Sequence, residues 1–303
     1  MKFIDQTSQN LKDIITKELG AKPKSNTVSM SLIDLIAQKN KVIPARQFKI
    51  EKSKAFERSQ YKLEYQDGLR AIERNLRNGI SNGPHQSRGT KTDRMDMMLN
   101  DWGFYHLHLT DKIENDGFVK RTGPILFCCF SKDTCYFIDI IPHGRGHHLV
   151  WINIELIKAL KESWPHIVEP LRFKNVIGLA KSYSLTEKLD LRKNGINSPI
   201  EIDGEIFMAP GMGVSTAKTA IRYTHRASGI IRQLKEIVKT CNAQGDFVLD
   251  NGIHLSDTLP RKDRYSGRPA ILKLRLEDTV LILYEERSGQ MLACTDLFCS
   301  IVP

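Results

Sequence analysis

Imidazole side chains are concentrated in one stretch of this 303-residue chain, and they are the residues best suited to chemistry. Six of the nine histidines and all three tryptophans lie between positions 102 and 166. His106 and His108 are two residues apart, so on a β-strand both project from the same face. Such a pair can act as acid and base around a phosphodiester, because imidazole titrates near neutral pH. It can also bind a metal, with His143 or Asp139 as further ligands.

A third interpretation makes the two histidines structural residues on a half-buried sheet face. Arg121 precedes a predicted strand, where its guanidinium can hold a phosphate through two hydrogen bonds, and Lys120 is a second candidate. Arg145 and His147 follow another strand, in a glycine-containing turn that lets the backbone approach a ligand closely. Each of these four residues can equally be an ordinary charged residue of the surface.

Sequence motifs that mark other enzyme classes are absent. The segment 211–216 lacks the lysine placement of a Walker A loop and is typical of a helix-capping turn. The chain has no H-E-x-x-H, no G-x-S-x-G and no paired zinc-knuckle cysteines. Its six cysteines include no C-x-x-C pair, and four of them lie in apolar runs. We therefore expect buried thiols rather than disulfides or metal ligands, and no cofactor unless the histidines hold a divalent metal.

The charge balance favours a polyanionic partner. Forty-five Lys and Arg against 35 Asp and Glu give a formal charge of +10, which makes RNA or another nucleic acid the leading candidate. A solvated basic surface without a partner is the alternative. No apolar run reaches 18 residues, and the first residues do not form the apolar core of a signal peptide. These patterns predict a cytoplasmic protein with reduced thiols and no membrane contact.

The candidate residues need a sheet to bring them together. Three short runs rich in β-branched and aromatic residues, within 102–109, 120–127 and 135–148, predict successive strands of one antiparallel sheet. Apolar residues at helical spacing then predict a helix over 147–163, which Trp164-Pro165 ends. The glycine-rich segment 78–91 is predicted to be a loop, either a mobile lid that touches phosphate or a plain surface linker.

Helical patterns flank this predicted sheet on both sides along the chain. They predict helices over 6–18, 29–38 and 61–78, the last with Leu63 buried, and a long helix from Ser215 or Thr216 to about Cys241. The long helix carries Arg222 and Arg226 in a basic stripe that can contact a phosphate backbone or simply be solvated. Strands over 270–276 and 279–285 are predicted to form a hairpin.

The predicted fold class is therefore α+β. We expect a central antiparallel sheet with N-terminal helices packed on it, followed by a C-terminal region with a long helix and a β-hairpin. The predicted division is 1–92 (a helical region and basic loop), 93–170 (the sheet with the candidate site) and 171–303 (an α+β region). The last two segments can also share one core.

One stretch resembles a known family. The order of a helix, W-G-x-x-H-L-H-L, R-x-x-x-I-L-F, a tyrosine-bearing strand ending in H-G, and a helix ending in W-P resembles bacterial toxin-like ribonucleases with a small antiparallel sheet, of the RelE and barnase–EndoU–colicin kind. The resemblance covers about a quarter of the chain, residues 93–165. The matching positions are Trp102, His106, His108, Arg121, Phe127, Tyr136, His143 and Trp164. The chain is several times longer than a typical RelE-type toxin, and the H-x-H pair is not that family's usual signature.

The resemblance implies RNA cleavage without a metal, by attack of the ribose 2′-hydroxyl. It implies that His106 or His108 is the base, His143 the acid and Arg121 the phosphate anchor, with Tyr136 at the substrate. The first hypothesis is thus a metal-independent endoribonuclease, a toxin or phage-defence effector that an acidic antitoxin-like protein can inhibit. The alternatives are a metal-dependent nuclease or hydrolase that uses the three histidines, and a nucleic-acid-binding protein without catalysis.

Overall fold

The computed structural model of the chain describes residues 2–20, 27–92, 96–147, 149–150, 153–176, 178–196, 198–215, 219–264 and 268–299. The fold is α+β. Residue contacts divide the chain into two compact units. The first unit comprises Met1–Asn40 and Tyr223–Phe298, and the second comprises Lys41–Arg222 and Cys299–Pro303.

The helices and strands are numbered in chain order. The α-helices are α1 (Thr7–Leu19), α2 (Val28–Lys41), α3 (Lys54–Arg58), α4 (Tyr61–Glu64), α5 (Gln66–Asn78), α6 (Met97–Trp102), α7 (Glu155–Ser163), α8 (Pro165–Val168), α9 (Leu185–Lys193), α10 (Ile221–Gln244), α11 (Leu255–Thr258) and α12 (Arg261–Arg264). The strands are β1 (Phe3–Asp5), β2 (Lys49–Lys52), β3 (Tyr105–His108), β4 (Pro124–Ser131), β5 (Thr134–Pro142), β6 (Ile200–Ile202), β7 (Glu205–Phe207), β8 (Ala270–Glu277), β9 (Val280–Glu285) and β10 (Met291–Asp296).

The first unit is built on a four-stranded sheet in the order β1-β8-β9-β10. Strands β8 and β9 form the predicted antiparallel hairpin, with Asp278 at φ 50° in its turn. Strand β1 pairs with β8 in parallel, with Ile4 opposite Ile271. Helix α1 packs on β8 and ends where Gly20 adopts a φ of 64°, a conformation that costs glycine little.

This pairing explains why the compact units differ from the three segments expected from the sequence. The parallel contact between β1 and β8 joins residues that are more than 260 positions apart, so the N-terminal helix α1 packs on the C-terminal sheet. Helix α7 and the β6–β7 hairpin instead contribute to the core of the second unit, together with the central strands. Contacts so distant in sequence leave no local pattern.

The second unit contains the predicted central sheet, in the order β2-β5-β4-β3. Strands β3, β4 and β5 are successive and antiparallel, as the three β-rich runs predicted. The sequence did not predict β2, which pairs with β5 in parallel. Its residues Lys49–Lys52 include three charged side chains and lack the apolar alternation of a strand, because β2 lies at the edge of the sheet.

Helices cover both faces of this sheet. On one face, Phe48 and Phe56 from the segments around β2 contact Phe130 and Phe137, with ring centroids 4.8 and 5.5 Å apart. On the other face, α7 and α8 pack against Ile125, Phe127, Cys129 and neighbouring core residues. With apolar groups buried on both sides, the central strands are held between two helical layers.

Three predicted helices differ from the structure. The long helix predicted from Ser215 or Thr216 begins at Ile221, and Thr216 lies outside the described residues. The helix predicted over 61–78 is interrupted at Tyr65, where φ is −111° and ψ is 25°. The interruption changes the helical register, so Leu63 is 83% exposed rather than buried, whereas Leu69 is buried as predicted. The helix predicted over 147–163 begins only at Glu155. Residues 148, 151 and 152 of that prediction lie outside the described residues.

Candidate functional site

The two histidines of β3 lie on one face of the central sheet. His106 is opposite Phe127 and His108 is opposite Ile125 in the register of β3 and β4. Both partners belong to the hydrophobic core beneath α7 and α8. The two imidazoles therefore project from the same sheet face as these apolar core residues. The spacing of the histidines had predicted that they share one face.

His143 joins them from the end of β5. Its backbone N–H donates to the carbonyl oxygen of Gly123 at 2.9 Å, and its Nδ1–H donates to the same oxygen at 2.6 Å. The rings of His143 and His108 have centroids 5.3 Å apart. Gly123 immediately precedes β4, so the antiparallel pairing of β4 and β5 brings a histidine that is 35 positions from His108 into contact with it.

The glycine-rich segment 78–91 is hydrogen-bonded to the backbone of β3, a role that was not predicted from the sequence. Nδ1–H of His85 donates to the carbonyl oxygen of His108 at 2.9 Å. His85 and Gln86 are 4% and 5% exposed, and the Gln86 amide bonds the backbone of Ile43 and Lys41. This part of the segment is therefore packed structure rather than a plain surface linker. A histidine within a glycine-rich loop was the available signal.

Helix α5 approaches the end of β3 closely enough to require glycine. A Cβ atom at Gly68 would lie 2.2 Å from the carbonyl carbon of Leu109, well inside van der Waals contact. The missing side chain lets the helix backbone lie against the strand that carries the histidines. Gly68 thus fixes the position of β3 relative to α5.

His108 is neutral in the folded protein. Its side chain is 3% exposed, and burial lowers its pKa to about 3, with a smaller effect from the neighbouring His143. The backbone N–H of Thr122 donates to its Nδ1 at 3.2 Å, which places the proton of the neutral ring on Nε2. A buried imidazole that stays neutral does not exchange protons near pH 7. His108 therefore has a structural role in the edge strand β3.

His143 is half-buried, and burial also lowers its pKa below the usual 6.5. The hydrogen bond to Gly123 opposes this shift, and electrostatic interactions with His106, Arg121 and His147 add to it. Because Nδ1–H faces the Gly123 oxygen, the lone pair of the neutral ring is on Nε2. His143 therefore has the protonation state of a base near neutral pH.

His106 lies next to a carboxylate. Its Nδ1 is 3.4 Å from Oδ2 of Asp96, and its side chain is 12% exposed. The other carboxylate oxygen of Asp96 accepts hydrogen bonds from the backbone N–H groups of Met98 and Leu99 at 3.0 and 3.1 Å, and so caps α6. The cap holds Asp96 in place, with its carboxylate facing the imidazole of His106. Sequence reasoning did not single out Asp96.

A cavity of about 450 Å³ opens beside this pair. His106 and Arg121 both line it, whereas His108 and His143 are not among its lining residues. The lining residues are Lys41, Gln86, Ser87, Gly89, Thr90, Asp96, Met97, Met98, Leu99, Tyr105, His106, Arg121, Leu189, Arg192 and Lys193. Four of them are Lys or Arg and one is acidic, so the cavity favours an anion.

The remaining residues predicted from the sequence lie in other surroundings. Lys120, Arg145 and His147 are exposed. Tyr136 is 8% exposed and packs edge-on against Trp164 with ring centroids 4.8 Å apart, so it is a core residue and does not line the cavity. The sequence indicated that Tyr136 lies on a strand near the histidines, but it did not indicate that the ring is buried in the core.

The two arginines predicted on the long helix donate to backbone carbonyls. Arg222 donates to the carbonyl oxygen of Leu99 at 2.8 Å. Arg226 belongs to the first unit, where it donates to the carbonyl oxygen of Asp296. Both guanidinium groups therefore hold structure together, and the substrate-contacting role expected for them finds no support here.

In the described ranges of the chain, no three His, Cys, Asp or Glu side chains are grouped so that they could hold a metal ion. His106, His108 and His143 are thus near one another without forming such a group. None of the helices in the same ranges combines the length and the hydrophobicity needed to cross a bilayer.

Comparison of the chain with protein-family models, with curated proteins and with solved structures gave no match. The functional interpretation therefore depends on the geometry of the site.

Proposed function

We propose that the chain is a metal-independent endoribonuclease whose site is formed by His106, Asp96, Arg121 and His143. The observation that carries the proposal is that His106, which lies beside Asp96, and Arg121 line one basic cavity. Both residues also lower the pKa of His143, which is not among the lining residues, and the proposal places His143 beside the cavity they line. Cleavage of a phosphodiester needs an acid, a base and an anion-stabilising group, and this set contains all three.

The proposed base is His143. Its neutral Nε2 accepts the proton of the ribose 2′-hydroxyl while the 2′-oxygen forms a bond to phosphorus. This assignment reverses the one that the family resemblance implies, because the lowered pKa of His143 favours the neutral ring over the acid. His108, with its pKa of about 3, is left with a structural role in positioning.

The proposed acid is His106. Asp96 faces Nδ1 of the ring, so the opposite nitrogen, Nε2, delivers a proton to the 5′-oxygen as the bond between phosphorus and that oxygen breaks. The products are a 2′,3′-cyclic phosphate and a 5′-hydroxyl. Arg121 binds the phosphoryl oxygens through charge-assisted hydrogen bonds. RNA as substrate agrees with the net charge of +10.

The direct test is incubation of the purified protein with total RNA in the presence of EDTA. Cleavage to fragments with 2′,3′-cyclic phosphate ends is the expected result, and His106→Ala is expected to lower the rate by about 100-fold or more. His166→Ala is the matched control, since His166 is exposed and outside the proposed set. Intact RNA with every variant would argue against the proposal.

The metal-dependent alternative gives a different result in the same experiment. If cleavage stops with EDTA and returns with a divalent metal, and if metal analysis finds a stoichiometric ion, the histidines are ligands instead. A toxin or phage-defence role, and an acidic inhibitor protein, remain proposals of the same kind. Co-purification of an acidic protein that suppresses cleavage would support them.

A further inference from the structure

Arg192, the penultimate residue of α9, is a buried cation that the proposed mechanism does not use. The residue is 7% exposed and lines the 450 Å³ cavity. Its Nε lies 2.8 Å from Oδ2 of Asp101, and its Nη2 donates to Sδ of Met98 at 3.7 Å. A guanidinium has five N–H donors, and a thioether is a weak acceptor.

The donors of Arg192 therefore outnumber the acceptors around it. Within the described part of the chain, the buried Nε of Arg192 makes no hydrogen bond of good geometry, although it lies 2.8 Å from Oδ2 of Asp101. Buried polar groups in folded proteins are almost always satisfied, so a buried guanidinium with unused donors beside a cavity points to a ligand that supplies oxygen atoms. A phosphate matches the planar donor geometry of arginine.

The surroundings of Arg192 fit one unit of a nucleic-acid strand. Lys193 lines the same cavity, and Met98 and Leu189 give it an apolar wall. A volume of about 450 Å³ lies within the usual range of small-ligand sites. The cavity therefore combines a cationic group at Arg192 with apolar surface suited to a base or ribose.

We propose that Arg192 binds a second phosphate of the substrate, the one adjacent to the phosphate at which cleavage takes place. The inference rests on the proposed function, since it places the scissile phosphate at His106 and Arg121. It also narrows the expected substrate class. A strand with a phosphate next to the cleaved linkage is expected to bind more tightly than a dinucleotide that lacks this phosphate.

The test uses 2′-deoxy dinucleotides, which lack the attacking hydroxyl and cannot be cleaved by this route. Binding of the plain dinucleotide is compared with binding of its 5′-phosphorylated and 3′-phosphorylated forms, by calorimetry at constant ionic strength. One of the phosphorylated forms is expected to bind the wild-type protein about tenfold more tightly than the plain dinucleotide. Equal binding of all three overturns the proposal.

Two sets of variants locate the effect. Leu189→Glu adds a carboxylate to the cavity without touching the ion pair and is expected to abolish the preference, whereas Leu189→Gln, of the same size but neutral, is expected to keep it. The double variant Asp101→Asn/Arg192→Gln removes both partners of the buried ion pair, so no uncompensated charge remains. If it retains the wild-type circular dichroism spectrum and the phosphate preference, Arg192 is not the binding group.

The same measurements separate this inference from the function itself. His106→Ala is expected to lose cleavage and to keep the binding preference, because it leaves Arg192 intact. If RNA is not cleaved by any form of the protein but the preference persists, the cavity is a phosphate site and the ribonuclease proposal fails. If RNA is cleaved and no preference exists, only the role of Arg192 fails.

Discussion

The carboxylate of Asp96 caps α6 through Oδ1 and faces the imidazole of His106 through Oδ2, which lies 3.4 Å from Nδ1 of the ring. The two functions of Asp96 can be separated. Asparagine is a good helix cap, so Asp96→Asn keeps the cap and loses the charge. We expect it to lower RNA cleavage by about tenfold or more, with little change in melting temperature.

Asp96→Ala serves as the comparison, because it loses the cap as well. It is expected to cost about 1 kcal/mol of stability in addition to activity. Thermal unfolding by circular dichroism gives the stability, and RNA cleavage gives the activity. Full activity of Asp96→Asn would show that the carboxylate contributes only to the helix.

The pH dependence of cleavage tests the role of His143. Burial lowers its pKa below 6.5, so the neutral, base-competent ring persists to more acidic pH than an ordinary histidine allows. We expect the midpoint of the acidic decline in rate to lie below pH 6.5. The measurement is the cleavage rate from pH 4.5 to 8 at constant ionic strength.

His143→Ala is expected to remove this acidic decline together with most of the activity. A decline that is the same in the wild type and in this variant would assign the titration to another group.

The stability of the protein should fall in acid because of His108. Its pKa is about 3 in the folded chain and near 6.5 when unfolded, so between those values the unfolded chain binds a proton that the folded chain does not. Its contribution to stability is complete above pH 6.5 and is lost progressively as pH falls towards 3, at up to about 1.4 kcal/mol per pH unit.

His108→Gln provides the comparison, since glutamine does not titrate. Urea unfolding of both proteins from pH 7.5 to 4.5 is expected to show a shallower loss of unfolding free energy in the variant. Parallel curves would mean that His108 does not resist protonation in the folded state.

The close approach at Gly68 predicts a loss of stability from a substitution that replaces none of the histidines. Gly68→Ala places a Cβ about 2.2 Å from the Leu109 carbonyl carbon, so α5 or β3 must move. We expect a loss of about 1–3 kcal/mol, with reduced cleavage because β3 carries His106.

Gly229→Ala is the matched control in another helix. A Cβ there meets no atom within 4 Å, so the better helix propensity of alanine should stabilise by about 0.5–1 kcal/mol. Melting temperatures of both variants decide the point. Equal effects at the two glycines would contradict the steric argument.

Local patterns determined the central strands and the face that the histidine pair shares. The alternation in 102–109 predicted that His106 and His108 project together, because side chains alternate along a strand whatever surrounds it. The spacing of Leu69, Ile72 and Leu76 likewise predicted a buried helix face, and the hairpin of β8 and β9 was evident from its turn.

Tertiary structure decided which residues the cavity gathers. Asp96, Arg192 and Lys41 come from three separated segments, and only packing brings them to His106. Nothing in the local sequence distinguishes these three from ordinary charged residues. Burial and neighbouring groups, rather than residue type, determine whether a side chain binds a ligand.

The same limit applies to the protonation of the histidines. All nine have the same intrinsic imidazole, and the sequence by itself determined only that several would lie on one sheet. Burial of His108, the Gly123 oxygen at His143 and the Asp96 carboxylate at His106 give three histidines three environments. Those environments arise from strand pairing and helix packing between distant segments, so the assignment of roles depends on the folded chain.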